Sequence, residues 1–254
     1  MQRRPMLLLK RRTLFDVAFT HRKIHSKSTR SNMTDIDSVR QNWQDVNRQM
    51  SVSGIVADRW WSVIQGLYSA PVRHYHTLQH LREMFQHFRF AGDHFTFSSP
   101  HLVTLAVFFH DIIYEPKKPD NEERSADKFE EYAAEVNVLS DADCKKVKDW
   151  IMLTKSHSAG TGDNSGDEHY FLDMDMAVLG RPDAEYDQYA SQIRAEYIHV
   201  PEELYRSKRA QILEDFFTRL PLFSTRLFQK QFEEQAKANL KREIARLRDN
   251  SIPL

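Results

Sequence analysis

The chain has 254 residues, 41% of them apolar, and its 36 basic and 36 acidic side chains give a formal net charge of zero. That length and composition suit a globular chain with a sizeable core and argue against a disordered one. The neutral balance argues against a general nucleic-acid binder. No apolar run approaches the roughly 20 residues of a membrane span, and the single cysteine, Cys144, excludes an internal disulfide or a multi-cysteine metal site.

Residues 1–33 carry nine basic side chains against Asp16 alone, with many Ser and Thr and a Leu7-Leu8-Leu9 cluster between basic residues. This suits a disordered leader, sequence upstream of a start at Met33, or a mitochondrial transit peptide. The expected location is therefore cytoplasmic, or mitochondrial if the leader is a transit peptide. The folded domain is expected over residues 34–254.

From Thr34 onward the pattern is helical. Thr34 can cap a helix whose apolar face is Ile36, Val39, Trp43 and Val46. A second helix runs through Val56, Trp60, Val63, Ile64 and Leu67 and breaks at Pro71, and a third covers roughly 76–91. Ser99-Pro100 opens a very apolar helix ending near Ile113. Asp120 can cap a helix over about 121–138, and Ser140 with Asp143 resembles a capping box for one through Val147, Trp150, Ile151 and Leu153. Ser156–Glu168, without aromatic or branched aliphatic residues, reads as a mobile loop. Pro182 and Pro201 each mark a helix start, and the last helix spans about 229–249. With only seven glycines, three of them in one segment, the expectation is a single all-α domain.

Four places concentrate metal-ligand residue types. On a helix, His76 and His80 are i and i+4 and share a face. His110-Asp111 ends a nearly pure hydrophobic run, where an unligated pair would be costly. His157 closes the Trp150–Lys155 helix, and Asp173 and Asp175 lie in another apolar stretch. Singly, each has an ordinary reading: a surface pair, a helix-dipole contact, a cap. In sequence order they are harder to dismiss.

The order His80, His110-Asp111, Asp175 resembles the HD superfamily of metal-dependent phosphohydrolases, an all-α fold. Tyr75-His76-Thr77-x-x-His80, Phe109-His110-Asp111-x-x-Tyr114 and Asn121-Glu122-Glu123-Arg124-Ser125-Ala126 resemble an uncharacterised group within it, from about Trp43 to Leu247, including Arg194-x-Glu196-Tyr197. Residues 75–80 are also similar to the signature helix of cyclic-nucleotide phosphodiesterases. That register makes His76 the proton donor and His80 a ligand; another makes His76 the ligand, and the first matches more positions. Asp175 is preferred over Asp173 as the final ligand, with Asp173 supporting it or capping a helix.

The resemblance implies an enzyme that hydrolyses the phosphate ester of a nucleotide or other small phosphorylated metabolite, without nucleic acid or membrane as partner. Its ligands are His80, His110, Asp111 and Asp175, a set that suits Mn, Fe, Co, Ni or Zn better than Mg alone. His76 and Asp111 are the expected catalytic groups. Glu123, counted with them, and His157 are candidates for an outer metal position or substrate contact. Arg73 and Lys155 are candidates to hold phosphate oxygens, while Glu122 and Arg124 are expected to face solvent. The alternatives are a di-iron oxygenase of the same fold and a non-catalytic ligand-sensing domain.

Overall fold

A computed structural model describes residues 35–157, 166–219 and 221–249. The basic leader, Thr34 and the centre of the 156–168 connection lie outside them. Ten α-helices and one short 3-10 turn are present, and no strand occurs among the described residues. The chain is all-α, as its sparse glycines and helical spacing predict. Among the described residues no helix is long and apolar enough to cross a membrane.

Helix α4, Pro100–Phe109, is the axis of the core. Pro100 presets its first turn, and from Leu102 to Phe109 every side chain is buried, so the helix is apolar all round and must be enclosed. Helices α1 (Asp35–Gln49), α3 (Leu78–Gly92), α5 (Asn121–Val136), α6 (Asp141–Leu153) and α7 (Asp167–Met176) all pack on it. Helix α2 (Gly54–Tyr68) lies on α1. Trp43 of α1 meets Phe108 edge-on at 5.1 Å and donates its indole N–H to the Ala57 carbonyl of α2 at 2.8 Å. Tyr68 reaches the Phe108 carbonyl at 3.1 Å, so the polar tips inside the core are satisfied.

The second half wraps the far side. A 3-10 turn, Ala177–Gly180, follows α7 and packs under α10 (Arg226–Arg248), beside α8 (Asp183–Glu196) and α9 (Glu202–Thr218). A Cβ on Gly180 would lie 2.6 Å from the Phe232 Cβ, so only glycine permits that approach. Pro182 and Pro201 occupy the N-caps of α8 and α9, as their positions predict.

Several boundaries differ from expectation. Helix α3 begins at Leu78, because Thr77 is its N-cap and accepts from the Gln79 N–H; His76 therefore precedes the helix. Helix α4 stops at Phe109 and residues 110–113 form a turn, whose Ile112 carbonyl is taken by Arg73. Helix α7 starts at Asp167, so Glu168 is helical; the buried Asp167 carboxylate accepts from the amides of Ser98 and Ser99 at 2.9 and 2.7 Å. Ile36, expected on the inner face of α1, lies in the first turn of that helix and is 46% exposed.

Candidate metal centre

Three elements deliver the cluster. His80 comes from the first turn of α3, His110 from the end of α4, and Asp175 from the last turn of α7. His80 Nε2 lies 3.1 Å from His110 Nε2 and 3.2 Å from Asp175 Oδ1, and His110 Nε2 is 3.7 Å from the same oxygen. One donor atom from each falls within 4.8 Å of the others, a grouping able to hold a metal ion. Asp111 faces them: its Oδ2 is 3.2 Å from His110 Nε2 and 4.0 Å from His80 Nε2.

The donor chemistry fits a divalent cation. His110 Nδ1 lies 3.0 Å from the Val107 carbonyl, which can only accept, so this nitrogen carries the hydrogen. In the neutral ring Nε2 then presents its lone pair to the cluster, the state a metal requires. Neither Asp111 nor Asp175 is paired with a lysine or arginine among the described residues. Burial opposes charge on His110, yet Asp111 and Asp175 outweigh it and hold the imidazole proton up to about 9. Burial likewise opposes ionisation of Asp111, and His110 with His76 drives it well below the usual carboxylate range. Asp175 is driven low in the same sense by His157 and His80. Half-buried carboxylates with only imidazoles as counter-charge are what a cation would stabilise.

His76 stands beside the cluster with both ring nitrogens directed. Its Nε2 is 3.8 Å from Asp111 Oδ2, and its Nδ1 is 2.7 Å from Glu196 Oε2. Glu196, at the end of α8, also accepts the amides of His74, Tyr75 and His76 at 2.8, 2.8 and 3.0 Å and the Tyr114 hydroxyl at 2.7 Å. Tyr114 stacks on the His76 ring at 4.3 Å. Burial lowers the basicity of His76, but Asp111 and Glu196 raise it further, so the net direction is upward. Burial opposes ionisation of Glu196, and its bond from His76 still brings it down to about 2.

His76, Asp111, Tyr114 and Asp175 line a cavity of about 260 Å³ together with Tyr189, Ile193 and Phe216. His157 lies at its wall, its Nε2 2.8 Å from Asp175 Oδ2, so Asp175 faces His80 and His110 with one oxygen and His157 with the other. His157 lies in the turn after α6 and has a left-handed backbone, φ 48°.

The remaining candidates fall elsewhere. Arg73 is buried, donating to the carbonyls of His76 and Ile112, both at 2.8 Å, with its guanidinium 4.7 Å from the Tyr68 ring. It braces the His76 turn and does not line the cavity. Glu123 and Lys155 pair with each other at the surface, Lys155 reaching the Pro119 carbonyl too, and neither lines the cavity. Glu122, expected at the solvent side, lines the cavity instead, because the first turn of α5 places it inward. Asp173 belongs to the α10 junction: it accepts from the amides of Ser224 and Thr225 and the Thr225 hydroxyl at 2.7–2.8 Å. Burial pushes its carboxyl up to about 7 against the pull of those donors.

Sequence reasoning gave Glu196 no role of its own. A signal existed: Tyr186, Tyr189, Ile193 and Glu196 follow a 3-4-3 spacing, so a carboxylate falls on the buried stripe of α8. No family model matches the chain, and neither a curated protein nor a solved structure matches it.

Proposed function

We propose that this chain is a metal-dependent phosphohydrolase acting on the phosphate ester of a nucleotide or other small phosphorylated metabolite. One observation carries the reading: a histidine oriented by a buried carboxylate, His76 on Glu196, shares a cavity with Asp111 and with Asp175 of the His80–His110–Asp175 cluster. The resemblance of the His…His-Asp…Asp order to the HD superfamily points the same way.

His80, His110, Asp175 and Asp111 would hold the cation, and the mixed imidazole–carboxylate set favours Mn, Fe, Co, Ni or Zn over Mg. Such an ion supplies a Lewis acid and hydroxide from bound water near neutral pH. Glu196 accepts the Nδ1 hydrogen of His76, which fixes the ring and sustains its positive charge. The proton on Nε2 is then the one available to the leaving-group oxygen, a general-acid role. Asp111, 3.8 Å away, draws that edge of the ring toward the cavity. Tyr114, stacked on His76 and bonded to Glu196, keeps the pair aligned. The apolar wall of Ile193 and Phe216 would exclude water from the rest of the substrate.

A di-iron oxygenase is the second reading, favoured by His157 on the second oxygen of Asp175. Metal analysis combined with a screen of phosphate esters against each divalent ion separates them. Ester hydrolysis requiring one of these ions supports the phosphohydrolase. Two irons per chain, with an optical band and no hydrolysis, would replace it.

A further inference from the structure

We infer that Arg209 forms an oxyanion subsite in the cavity, so that the preferred ligand carries a second anionic group besides its phosphate ester. This rests on the phosphohydrolase reading for the first group and adds the chemistry of the rest of the substrate.

Arg209 is the only lysine or arginine lining the cavity among the described residues. It projects from α9 two turns before Phe216, and the seven-residue spacing puts both on the cavity side of that helix. Glu243 of α10 takes its Nε at 2.9 Å and one Nη2 contact at 3.4 Å, and the Tyr189 hydroxyl takes another at 3.4 Å. Those bonds fix the guanidinium plane, which lies 5.6 Å from the Tyr189 ring. Nη1 has no hydrogen-bond partner among the described residues, leaving two donors on a largely buried side chain that Glu243 also holds as an ion pair.

The contact path from Arg209 to the histidines passes through two aromatic rings. Tyr189 meets Tyr75 edge-on at 4.7 Å, and Tyr75 lies 4.9 Å from His76 and 5.0 Å from His80. A phosphoryl group held at the cluster would be served by the cation and His76, which leaves Arg209 to answer a second anion on the same molecule. The parallel Nε and Nη2 donors are taken by Glu243, and the remaining Nη1 hydrogens of this guanidinium donate to a carboxylate or phosphate oxygen more strongly than to a neutral hydroxyl. A ligand that meets the cluster with its phosphoryl group and Nη1 of Arg209 with a second oxyanion, such as a phosphorylated carboxylic acid, would satisfy both.

The test compares 3-phosphoglycerate with glycerol 3-phosphate, which differ by a carboxylate in place of a hydroxymethyl group. Binding to the full, manganese-loaded chain is read by calorimetry for the wild type, Arg209→Gln and Arg209→Lys, with melting temperature recorded for each. The expected result is tighter binding of the carboxylate by roughly 10- to 100-fold in the wild type, the worth of one charged hydrogen bond. Arg209→Gln should lose that preference while keeping its affinity for glycerol 3-phosphate, and Arg209→Lys should restore part of it. Equal affinities in the wild type, no binding of either, or a preference that survives Arg209→Gln overturns the subsite. Loss of affinity for both ligands together with a lowered melting temperature assigns Arg209 to packing against Glu243 and also overturns it. The preference without hydrolysis of any phosphate ester would leave the subsite standing and remove the phosphohydrolase. Hydrolysis without the preference would do the reverse.

Discussion

Glu196 holds His76 twice, accepting its backbone amide at 3.0 Å through Oε1 and its ring Nδ1 at 2.7 Å through Oε2. The residues are 120 positions apart, so packing of α8 against the turn before α3 sets the direction of the ring. Glu196→Gln keeps the shape but removes the charge that supports the imidazolium. We expect turnover to fall roughly 10- to 100-fold, the usual effect of losing a carboxylate behind a functional histidine. The acidic limb of the pH–rate profile should be retained while the basic limb moves to lower pH, because the raised affinity of His76 for its proton is lost. An unchanged basic limb would deny Glu196 this positioning role.

His76→Ala should keep the metal and lose about 10²–10⁴-fold on alkyl phosphate esters, the range of general-acid catalysis. The loss should be much smaller on a nitrophenyl ester, whose leaving group needs little protonation. Loss of metal with equal failure on both substrates would make His76 a ligand instead.

Asp173 and Asp175 are two residues apart and predict opposite phenotypes. Asp175→Asn should abolish metal uptake by elemental analysis with little change in the melting temperature of the metal-free chain. Asp173→Ala should keep the metal but leave three donors of Ser224 and Thr225 unsatisfied, a cost of about 3 kcal/mol or more by denaturant unfolding. Reversed phenotypes would exchange their roles.

Metal should stabilise the fold. At a free concentration 100 times its dissociation constant, a bound ion contributes about 2.7 kcal/mol. The wild type should melt higher with manganese than with chelator, and His110→Ala should show no difference. A shift that persists in His110→Ala would place the metal elsewhere.

His87 offers a pH test at a residue that is not itself one of the cluster ligands. Burial beside Phe228 and Phe232, with the charges of Arg181 and His80, lowers it from 6.5 to about 4. The folded state thus keeps His87 neutral while the unfolded chain takes up a proton below pH 6.5, so stability falls as pH drops from 6.5 toward 4. The stability difference between His87→Gln and wild type should move by about 2–3 kcal/mol in favour of the variant across that window. A constant difference would show that His87 ionises freely in the fold.

The helices were legible from the chain itself because their information is local. Ser99-Pro100 before an unbroken apolar run, the spacing of Val39, Trp43 and Val46, and Pro182 and Pro201 at helix starts specify helices and buried faces without knowledge of any partner. His110 and Asp175 were legible for a related reason, because polar ligand types in or beside apolar stretches are costly unless something binds them. His80 instead stood out by its i, i+4 spacing from His76 and by the resemblance of the His…His-Asp…Asp order. Tertiary structure decided what depends on contacts between distant segments. The Thr77 cap moved His76 off the helix, and Glu196 from α8 then gave its ring a direction. Packing of α7 against the start of α10 gave Asp173 three donors and left Asp175 to the histidines. Arg73 turned to backbone carbonyls and Lys155 to Glu123, since a charged side chain takes the nearest partner the fold supplies. Spacing along a helix reports which residues share a face, whereas the partner across that face exists only after the helices have packed.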